Sequence, residues 1–259
     1  MPNKDLLIML PAYNEEACIG QFLQALHTAG VDEFADVLVV NDGSRDRTSA
    51  IAKENGARVV THIYNLGYGC ALQTAYKYAV RYNYQYLIQI DSDGQHDVCN
   101  IQAIYELLRA ADAPDIVIGS RFLQNAVTFH IPFVKKIAIG FFRFLIKNAT
   151  GQRILDPTSG LQGLTRRAFL FYSYYDQFDF EYPDANMIVQ MLLNNFKIME
   201  VPAVMHQRET GTSMHSGLKP ILYIFKMVFS TFVVIARERA AQKKGSKQKA
   251  NRQATAANN

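Results

Sequence analysis

Five times within the first 122 residues, a short apolar run stops abruptly at Asn, Asp, Ser or Gly, and helical spacing follows. The runs are Leu6–Leu10, Val37–Val40, Arg58–Thr61, the segment from Tyr86 to Ile90, and Asp115–Ile118. Strands alternating with helices predict a largely parallel sheet covered on both faces. In such sheets ligands sit beyond the C-terminal strand ends, where this sequence concentrates its polar and glycine residues. A chain of 259 residues is long enough to bury the core of one such α/β domain. Asn14 is placed to cap a helix running to about Ala29. Asp46 or Ser44 is placed to cap the helix after the second strand, and Asn65-Leu-Gly-Tyr-Gly69 opens a helix to about Arg81.

The fourth run delivers Asp91 and Asp93, within Asp91-Ser92-Asp93-Gly94-Gln95. Residues i and i+2 of an extended chain project to one side, so the two carboxylates can converge on one hard cation. Mg²⁺ and Mn²⁺ prefer oxygen ligands, commonly one or two carboxylates completed by substrate phosphates. A turn using Asp and Gly for their backbone habits is the plainer alternative for the pair taken alone. The glycines do not form a dinucleotide fingerprint: Gly67-Tyr-Gly69 lacks the third glycine and follows the third strand, not the first. There is no Walker sequence either. Short polar loops around a cation suit a nucleotide diphosphate.

The net charge of +4 is unevenly placed. Residues 237–259 carry seven Lys/Arg and one Glu, while the rest holds twenty Lys/Arg against twenty-two Asp/Glu. The basic character therefore belongs to a polar tail expected to be disordered. Just before it, residues 221–236 are the most continuously apolar stretch. As a helix they would span about 24 Å, short of the roughly 30 Å hydrocarbon core, and Lys226 interrupts them. They read as a helix lying in a membrane interface, or packed against the membrane helix of a small membrane-protein partner, with a buried C-terminal core helix as the plainer alternative. From His130 to Lys147, Lys136, Arg143 and Lys147 fall at intervals of seven and four, forming a basic stripe beside apolar residues, as in interfacial helices. A membrane surface, not nucleic acid, is the expected partner of the basic segment. Cys18, Cys70 and Cys99 show no ligand spacing and suggest a reducing compartment. The apolar run at the N-terminus is too short for a signal peptide. The expected location is thus cytoplasmic, peripheral on the inner face of the membrane.

Six segments now stand in order: Leu10-Pro-Ala-Tyr-Asn-Glu-Glu16, Val40-Asn-Asp-Gly-Ser-Arg-Asp-Arg-Thr48, Asn65-Leu-Gly-Tyr-Gly69, Asp91-Ser-Asp-Gly-Gln95, Gly119-Ser-Arg121 and Asp156-Pro-Thr-Ser-Gly160. Over about residues 4–220 the chain resembles the family 2 glycosyltransferases, which are inverting enzymes of the GT-A fold. Within them it is most similar to the polyprenyl-phosphate branch typified by dolichyl-phosphate mannose synthase. The resemblance implies a Rossmann-like mixed sheet with helices on both faces over residues 1–220, followed by the apolar helix 221–236 and the basic tail 237–259. It also implies a nucleotide diphosphate sugar as donor and Mg²⁺ or Mn²⁺ as cofactor. Pro11, Ala12, Tyr13 and Glu15 would border the base and ribose, and Asp42 would accept a hydrogen bond from a uracil-type ring. Asn65 and Gly67 would lie beneath the nucleoside. Asp91 and Asp93 would hold the cation within the Asp91-Ser92-Asp93 loop, with Gln95 positioning the site. Arg121 would stabilise the leaving diphosphate, and Arg208 would handle the acceptor phosphate.

The acceptor divides the possibilities. A sugar hydroxyl must lose a proton to a base, whereas a polyprenyl phosphate is already an oxyanion and needs cations to hold it. Arg208 and Arg121 favour the phosphate. Asp156 is the leading candidate for orienting or base chemistry, with Glu181 and Asp184 as further acceptor-side carboxylates. Asn186 stands where many relatives of the resembled family carry an acidic residue. That departure keeps a hydroxyl of a lipid-linked or polysaccharide acceptor in play, with a different base. A non-catalytic, membrane-recruited nucleotide-sugar-binding scaffold is a third reading, and the intact Asp91/Asp93 pair opposes it. His96 reads as a surface loop residue, His206 and His215 flank Arg208, and Tyr172, Tyr174 and Tyr175 are candidates for lining an acceptor groove.

Overall fold

A computed structural model describes residues 4–129, 131–181, 183–207 and 225–243. The alternating pattern becomes β1 (Leu6–Ala12), α1 (Ile19–Thr28), α2 (Val31–Phe34), β2 (Ala35–Asn41), α3 (Thr48–Glu54), β3 (Arg58–Thr61), α4 (Tyr68–Arg81), β4 (Tyr86–Gln89), α5 (Cys99–Leu108) and β5 (Ile116–Ser120). There follow α6 (Phe133–Thr150), β6 (Gln162–Thr165), α7 (Arg166–Ser173), α8 (Ala185–Leu193), β7 (Ile198–Pro202) and a helix over residues 225–243, here α9. This last helix runs seven residues past the apolar segment.

The strands form one sheet in the order β3-β2-β1-β4-β6-β5-β7. The first four are mutually parallel, β6 runs antiparallel to both β4 and β5, and β7 returns parallel to β5. Because β6 is reversed, its N-terminal end lies at the same edge as the C-terminal ends of its neighbours, with Gln162 opposite Gln89. The loop carrying Asp156 and Gly160 thereby joins the ligand edge.

Side chains alternate across the sheet as the two-residue period requires. Leu7, Met9, Leu38, Val40, Ile116 and Ile118 enter the core shared with α4 and α6–α9, whereas Leu6, Ile8, Leu10, Val39 and Val117 enter the core beneath α1 and α5. On α1 the buried residues are Ile19, Phe22, Leu23 and Leu26, one stripe at helical spacing.

Two local expectations change. Asn14 does not cap α1. It sits in the left-handed region at φ 55°, its Oδ1 accepts from the Arg45 amide at 2.9 Å, and α1 begins at Ile19. The side chain is taken by a neighbouring loop before its own helix can use it. The basic stripe of α6 is also broken. Lys136 and Lys147 are exposed, but Arg143 turns inward, its guanidinium 4.3 Å from the Phe122 ring centroid and its Nε donating to Leu155 O at 2.6 Å. A ring face and a carbonyl together offer a planar cation more than open solvent does. What α6 does present outward is Phe133, Ile137, Phe141 and Phe144.

Candidate active site

The loops after β1 and β2 interlock through backbone donors. The Asn14 amide donates to Ser44 Oγ at 3.0 Å, Glu15 N to Thr48 Oγ1 at 2.8 Å, Glu16 N to Asp46 Oδ2 at 3.2 Å, and Arg47 N to Glu16 Oε2 at 2.9 Å. Tyr13 stands at their rim, 36% exposed. Pro11 O accepts from Ser92 Oγ at 2.9 Å, joining the first loop to the acidic one, and Ala12 O accepts from the Asp42 amide. The Asp42 carboxylate is buried and organises the β3–α4 loop. Oδ1 accepts from Leu66 N at 2.8 Å and faces His62 Nδ1 at 2.7 Å, while Oδ2 accepts from Gly67 N at 2.8 Å. His62 Nε2 reaches Thr74 Oγ1 at 2.9 Å. Gly67, at φ 97°, has open space where a side chain would stand. Asn65 beside it is exposed.

Asp91 and Asp93 follow the end of β4 at this same edge. The Asp91 side chain is about one-third exposed (33%). Tyr68 Oη, from the first residue of α4, donates to its Oδ1 at 3.1 Å, and His96 Nε2 lies 3.8 Å from its Oδ2. Gly160 backs the carboxylate, and a Cβ there would stand 2.1 Å from Oδ2. Burial alone would raise the Asp91 pKa, but His96, the Tyr68 hydroxyl and the Arg121 charge outweigh it and hold the carboxyl below its ordinary value. The same burial, with Asp91 and Asp184 nearby, pushes the Tyr68 phenol well above its own. Asp93 Oδ1 accepts from the Gln95 amide at 3.1 Å. His96 is not a surface residue. It is 4% exposed and pairs in an isolated β-bridge with Met205, 109 positions later, and its Nδ1 has no hydrogen-bond partner among the described residues.

The donor set fits a divalent cation in one respect that can be read directly. Two oxygen-bearing side chains sit at a partly open edge, and among the described residues no third His, Cys, Asp or Glu completes a cluster around them. A two-carboxylate site of this kind holds its ion together with substrate phosphates.

Arg121 and Asp156 form a buried, bidentate pair. Arg121 Nε donates to Asp156 Oδ2 at 2.7 Å and Nη2 to Oδ1 at 2.6 Å, while the Arg121 amide also donates to Oδ2 at 3.0 Å. Nη2 additionally reaches Thr158 Oγ1 at 2.9 Å. Asp156 is fully buried, and the amides at 155 and 156 are held by the Glu200 carboxylate, each at 2.7 Å. Lys135, on the first turn of α6, interacts electrostatically with Arg121, Asp156, Asp184 and Asp91. Desolvation there and the Arg121 charge lower its ammonium pKa. The pattern read Lys136, its neighbour, as the notable cation. Nothing local distinguishes the two lysines, and both are exposed.

On the remaining side, Asp184 precedes α8 as its N-cap residue. Its charge, like that of Asp91, is felt by both Tyr68 and Lys135. Glu181 is exposed. Asn186 is fully buried and faces α9. Tyr172 is a core residue, packed on Tyr76 and Phe178 with ring centroids 5.5 and 5.6 Å away, so only Tyr174 and Tyr175 of the three tyrosines are exposed. His206 pairs with Asp97 at 2.9 Å. Arg208 and His215 lie outside the described residues.

Comparison with known proteins agrees with this edge. Residues 7–174 match the family described as Glycosyl transferase family 2. A polyprenol monophosphomannose synthase of Mycolicibacterium smegmatis is 28% identical over 234 residues, covering 83% of this chain and 83% of that protein. An undecaprenyl-phosphate mannosyltransferase of Micrococcus luteus is 27% identical over 225 residues, covering 82% and 88%. Among solved structures, glucosyl-3-phosphoglycerate synthase from Mycobacterium tuberculosis, in complex with Mn²⁺ and UDP-glucose, superposes with a TM-score of 0.65 at 21% identity, covering 90% of this chain and 79% of that one. The last likeness is one of fold, the GT-A fold. With the family matching most of its length and the family's motif loops gathered at one edge of such a sheet, the chain belongs to glycosyl transferase family 2 and is a glycosyltransferase.

Proposed function

We propose that this chain transfers a hexose, with inversion, from a nucleotide diphosphate sugar of the uridine type to the phosphate of a polyprenyl phosphate at the inner face of a membrane. In that reaction an acceptor phosphate oxygen attacks the anomeric carbon. The bond from that carbon to the donor's diphosphate breaks, and its electron pair leaves on the diphosphate oxygen. No proton has to be removed from the acceptor. The observation that carries the reading is the state of Asp156, the residue best placed by sequence for base chemistry. It is fully buried and both oxygens are taken by Arg121, so it orients a cation and does not serve as a base. Two cations, Arg121 and Lys135, instead share the neighbourhood of Asp91.

In this reading Asp91 and Asp93 hold Mg²⁺ or Mn²⁺, and Tyr68 and Gly160 set the Asp91 rotamer. The bound ion supplies charge neutralisation for the departing diphosphate. Arg121 adds a fixed positive charge whose direction Asp156 determines. Tyr13, Glu15, Asn65 and Gly67 border the nucleoside with Pro11 and Ala12. Asp42 holds the floor, and its Oδ2, with a single amide donor, can still accept from a base imide N–H. Gln95 and Ser92 fix the acidic loop. Lys135 and Arg208 receive the acceptor phosphate, with Asp184 and Glu181 beside it. The polyprenyl acceptors named for the mannosyltransferases above support the same class of acceptor.

Attachment to the membrane falls to α6 and α9. No helix among the described residues is long and apolar enough to cross a bilayer. Yet α9 presents Phe225, Phe229, Phe232 and Val233 outward, and α6 presents Phe133, Ile137, Phe141 and Phe144. Exposed Lys136, Lys147 and Arg239 flank these faces, the composition of helices that lie in an interface.

The test is to incubate the purified protein with membranes, Mn²⁺ or Mg²⁺ and radiolabelled nucleotide sugars, then extract with organic solvent. Label in a lipid that mild acid releases, absent with Asp93→Ala, is the expected result. Label confined to an acid-stable or water-soluble product would replace the phosphate acceptor by a hydroxyl.

A further inference from the structure

One polar cluster, built around the buried Asn186 and the half-buried Asp179 and Ser230, has no part in holding donor or cation. Asn186, in the first turn of α8, accepts through Oδ1 from the Asp184 amide at 3.1 Å and the Met187 amide at 2.8 Å. Its Nδ2 donates to Asp179 Oδ2 at 2.6 Å and to Ser230 Oγ, on α9, at 2.8 Å. Ser230 Oγ in turn donates to that same Asp179 oxygen at 2.6 Å. Asp179 Oδ1 accepts from the Glu181 amide at 2.9 Å. The orientation of the Asn186 amide follows from its partners: an oxygen facing two N–H groups requires the nitrogen to face the carboxylate. An aspartate at 186 would set two carboxylates against each other at this distance, so Asn186 and Asp179 are a matched pair.

The cluster joins α9 to the turn carrying Asp184 and Glu181. Resting on the assignment of Asp184 to the acceptor side, we propose that Ser230 is a positioning residue for the acceptor, seating the Asp184 turn through Asn186 and Asp179. Ser230 supplies the Asn186 amide with its second acceptor and Asp179 with a hydroxyl donor. Without it the Asn186 amide keeps only the Asp179 oxygen on its Nδ2 and Asp179 loses its hydroxyl donor, so the side chain that accepts from the Asp184 and Met187 N–H groups is held less firmly. The same helix that turns Phe225, Phe229 and Phe232 outward thus also sets the acceptor turn. A second bond between α8 and α9 serves as control. Asn194 Nδ2 donates to Glu238 Oε2 at 3.0 Å, eight residues or about 12 Å further along α8 and away from the turn.

The experiment uses the full chain with vesicles, undecaprenyl phosphate and a uridine diphosphate hexose, comparing Ser230→Ala, Ser230→Thr, Asn194→Ala and the exchange Asp179→Asn with Asn186→Asp. Amide hydrogen exchange at Glu181, Asp184 and Met187 is read alongside KM for acceptor and for donor. For Ser230→Ala, exchange at these amides quickens about three- to tenfold, the scale of one lost hydrogen bond. Acceptor KM rises by a similar factor while donor KM is unchanged. Ser230→Thr and the exchange pair keep both readouts near wild-type values, and Asn194→Ala alters neither. Unchanged exchange in Ser230→Ala, or the same change in Asn194→Ala, overturns the proposal, as does a rise in both KM values together. Should the wild type label no lipid, the exchange measurements still decide whether Ser230 seats the turn, and the failure then belongs to the acceptor reading.

Discussion

Gly160 lies against the carboxylate of Asp91 so closely that a Cβ on residue 160 would stand 2.1 Å from Oδ2 and 2.8 Å from Cγ. The two residues are 69 apart in sequence, brought together because β6 runs antiparallel beside β4. The obstructing atoms are the far end of a rotatable side chain. Gly160→Ala therefore costs little stability, since the carboxylate can turn away, but turning it disorders the group assigned to the cation. A displacement of about 1 Å at a reacting centre costs on the order of 10² in rate. Transfer rate at saturating Mn²⁺ should fall by about that factor while the thermal midpoint moves by a few degrees at most. A variant with normal rate would remove Asp91 from the site.

Gly69 gives the opposite outcome. Its added Cβ would meet Phe180 O at 2.3 Å and Phe180 C at 2.7 Å, backbone that cannot rotate aside. Alanine is ordinarily favoured over glycine inside a helix by about 1 kcal/mol. Here overpacking should reverse the sign, with Gly69→Ala destabilising by about 1–3 kcal/mol, read from urea unfolding midpoints.

Breaking the Arg121–Asp156 pair leaves a buried guanidinium without its counter-charge. Asp156→Ala should cost about 3–5 kcal/mol and abolish transfer. Arg121→Lys is no rescue, because an ammonium cannot donate in parallel to both carboxylate oxygens. Denaturant titration of each variant and its transfer rate check both statements, and a fully active Arg121→Lys would show that charge alone suffices.

Stability should also depend on pH through Asp46. Burial pushes its carboxyl pKa up, but the Thr48 hydroxyl and the Thr48 and Glu16 amides outweigh this and leave it below the model-peptide value of 3.8. A pKa lowered on folding contributes stability that is present above the unfolded value and is lost as pH falls through the folded one. The stability gap between wild type and Asp46→Ala should therefore be constant from pH 7 to pH 5, then shrink as pH falls below about 4. Urea midpoints across that range read it, and a gap independent of pH would deny Asp46 its ionised role.

In the proposed reading, membrane association rests on the outward aromatic faces of α6 and α9. Burying one phenylalanine is worth about 1.5–3 kcal/mol, so Phe229→Asp should weaken flotation with anionic vesicles at least about tenfold while leaving the fold intact. Higher salt should weaken binding further, since the flanking Lys and Arg act through screened charge. Unaltered flotation would move the contact to another surface.

Much of this architecture was legible in local pattern. The runs ending at Leu10, Val40, Thr61 and Ile118 are strands or the bodies of strands, and Gly67 and Gly69 do open α4. Such signals are short-range: two-residue alternation, a glycine at positive φ, an acidic residue just past an apolar run. The loops they place at one edge follow from parallel pairing alone. Helix starts were less legible where a capping side chain had a competing partner, as Asn14 has in the Arg45 amide.

Side-chain orientation belongs to contacts that no local window contains. Asp156 became an orienting group because Arg121, 35 residues earlier, meets both its oxygens. His96 is buried where its backbone forms an isolated bridge with Met205, and Arg143 leaves its basic stripe because Phe122 offers a ring face. Lys135 and Lys136 are equivalent in sequence and both exposed, yet it is the Lys135 ammonium that feels the charges of Arg121, Asp156, Asp184 and Asp91. Composition and periodicity thus account for the α/β alternation, the acidic edge and the amphipathic helices, because each arises from neighbours within a few residues. Which carboxylate can act as a base, and which merely holds an arginine, depended on the reversed strand β6, because pairing across the sheet decides what each oxygen faces.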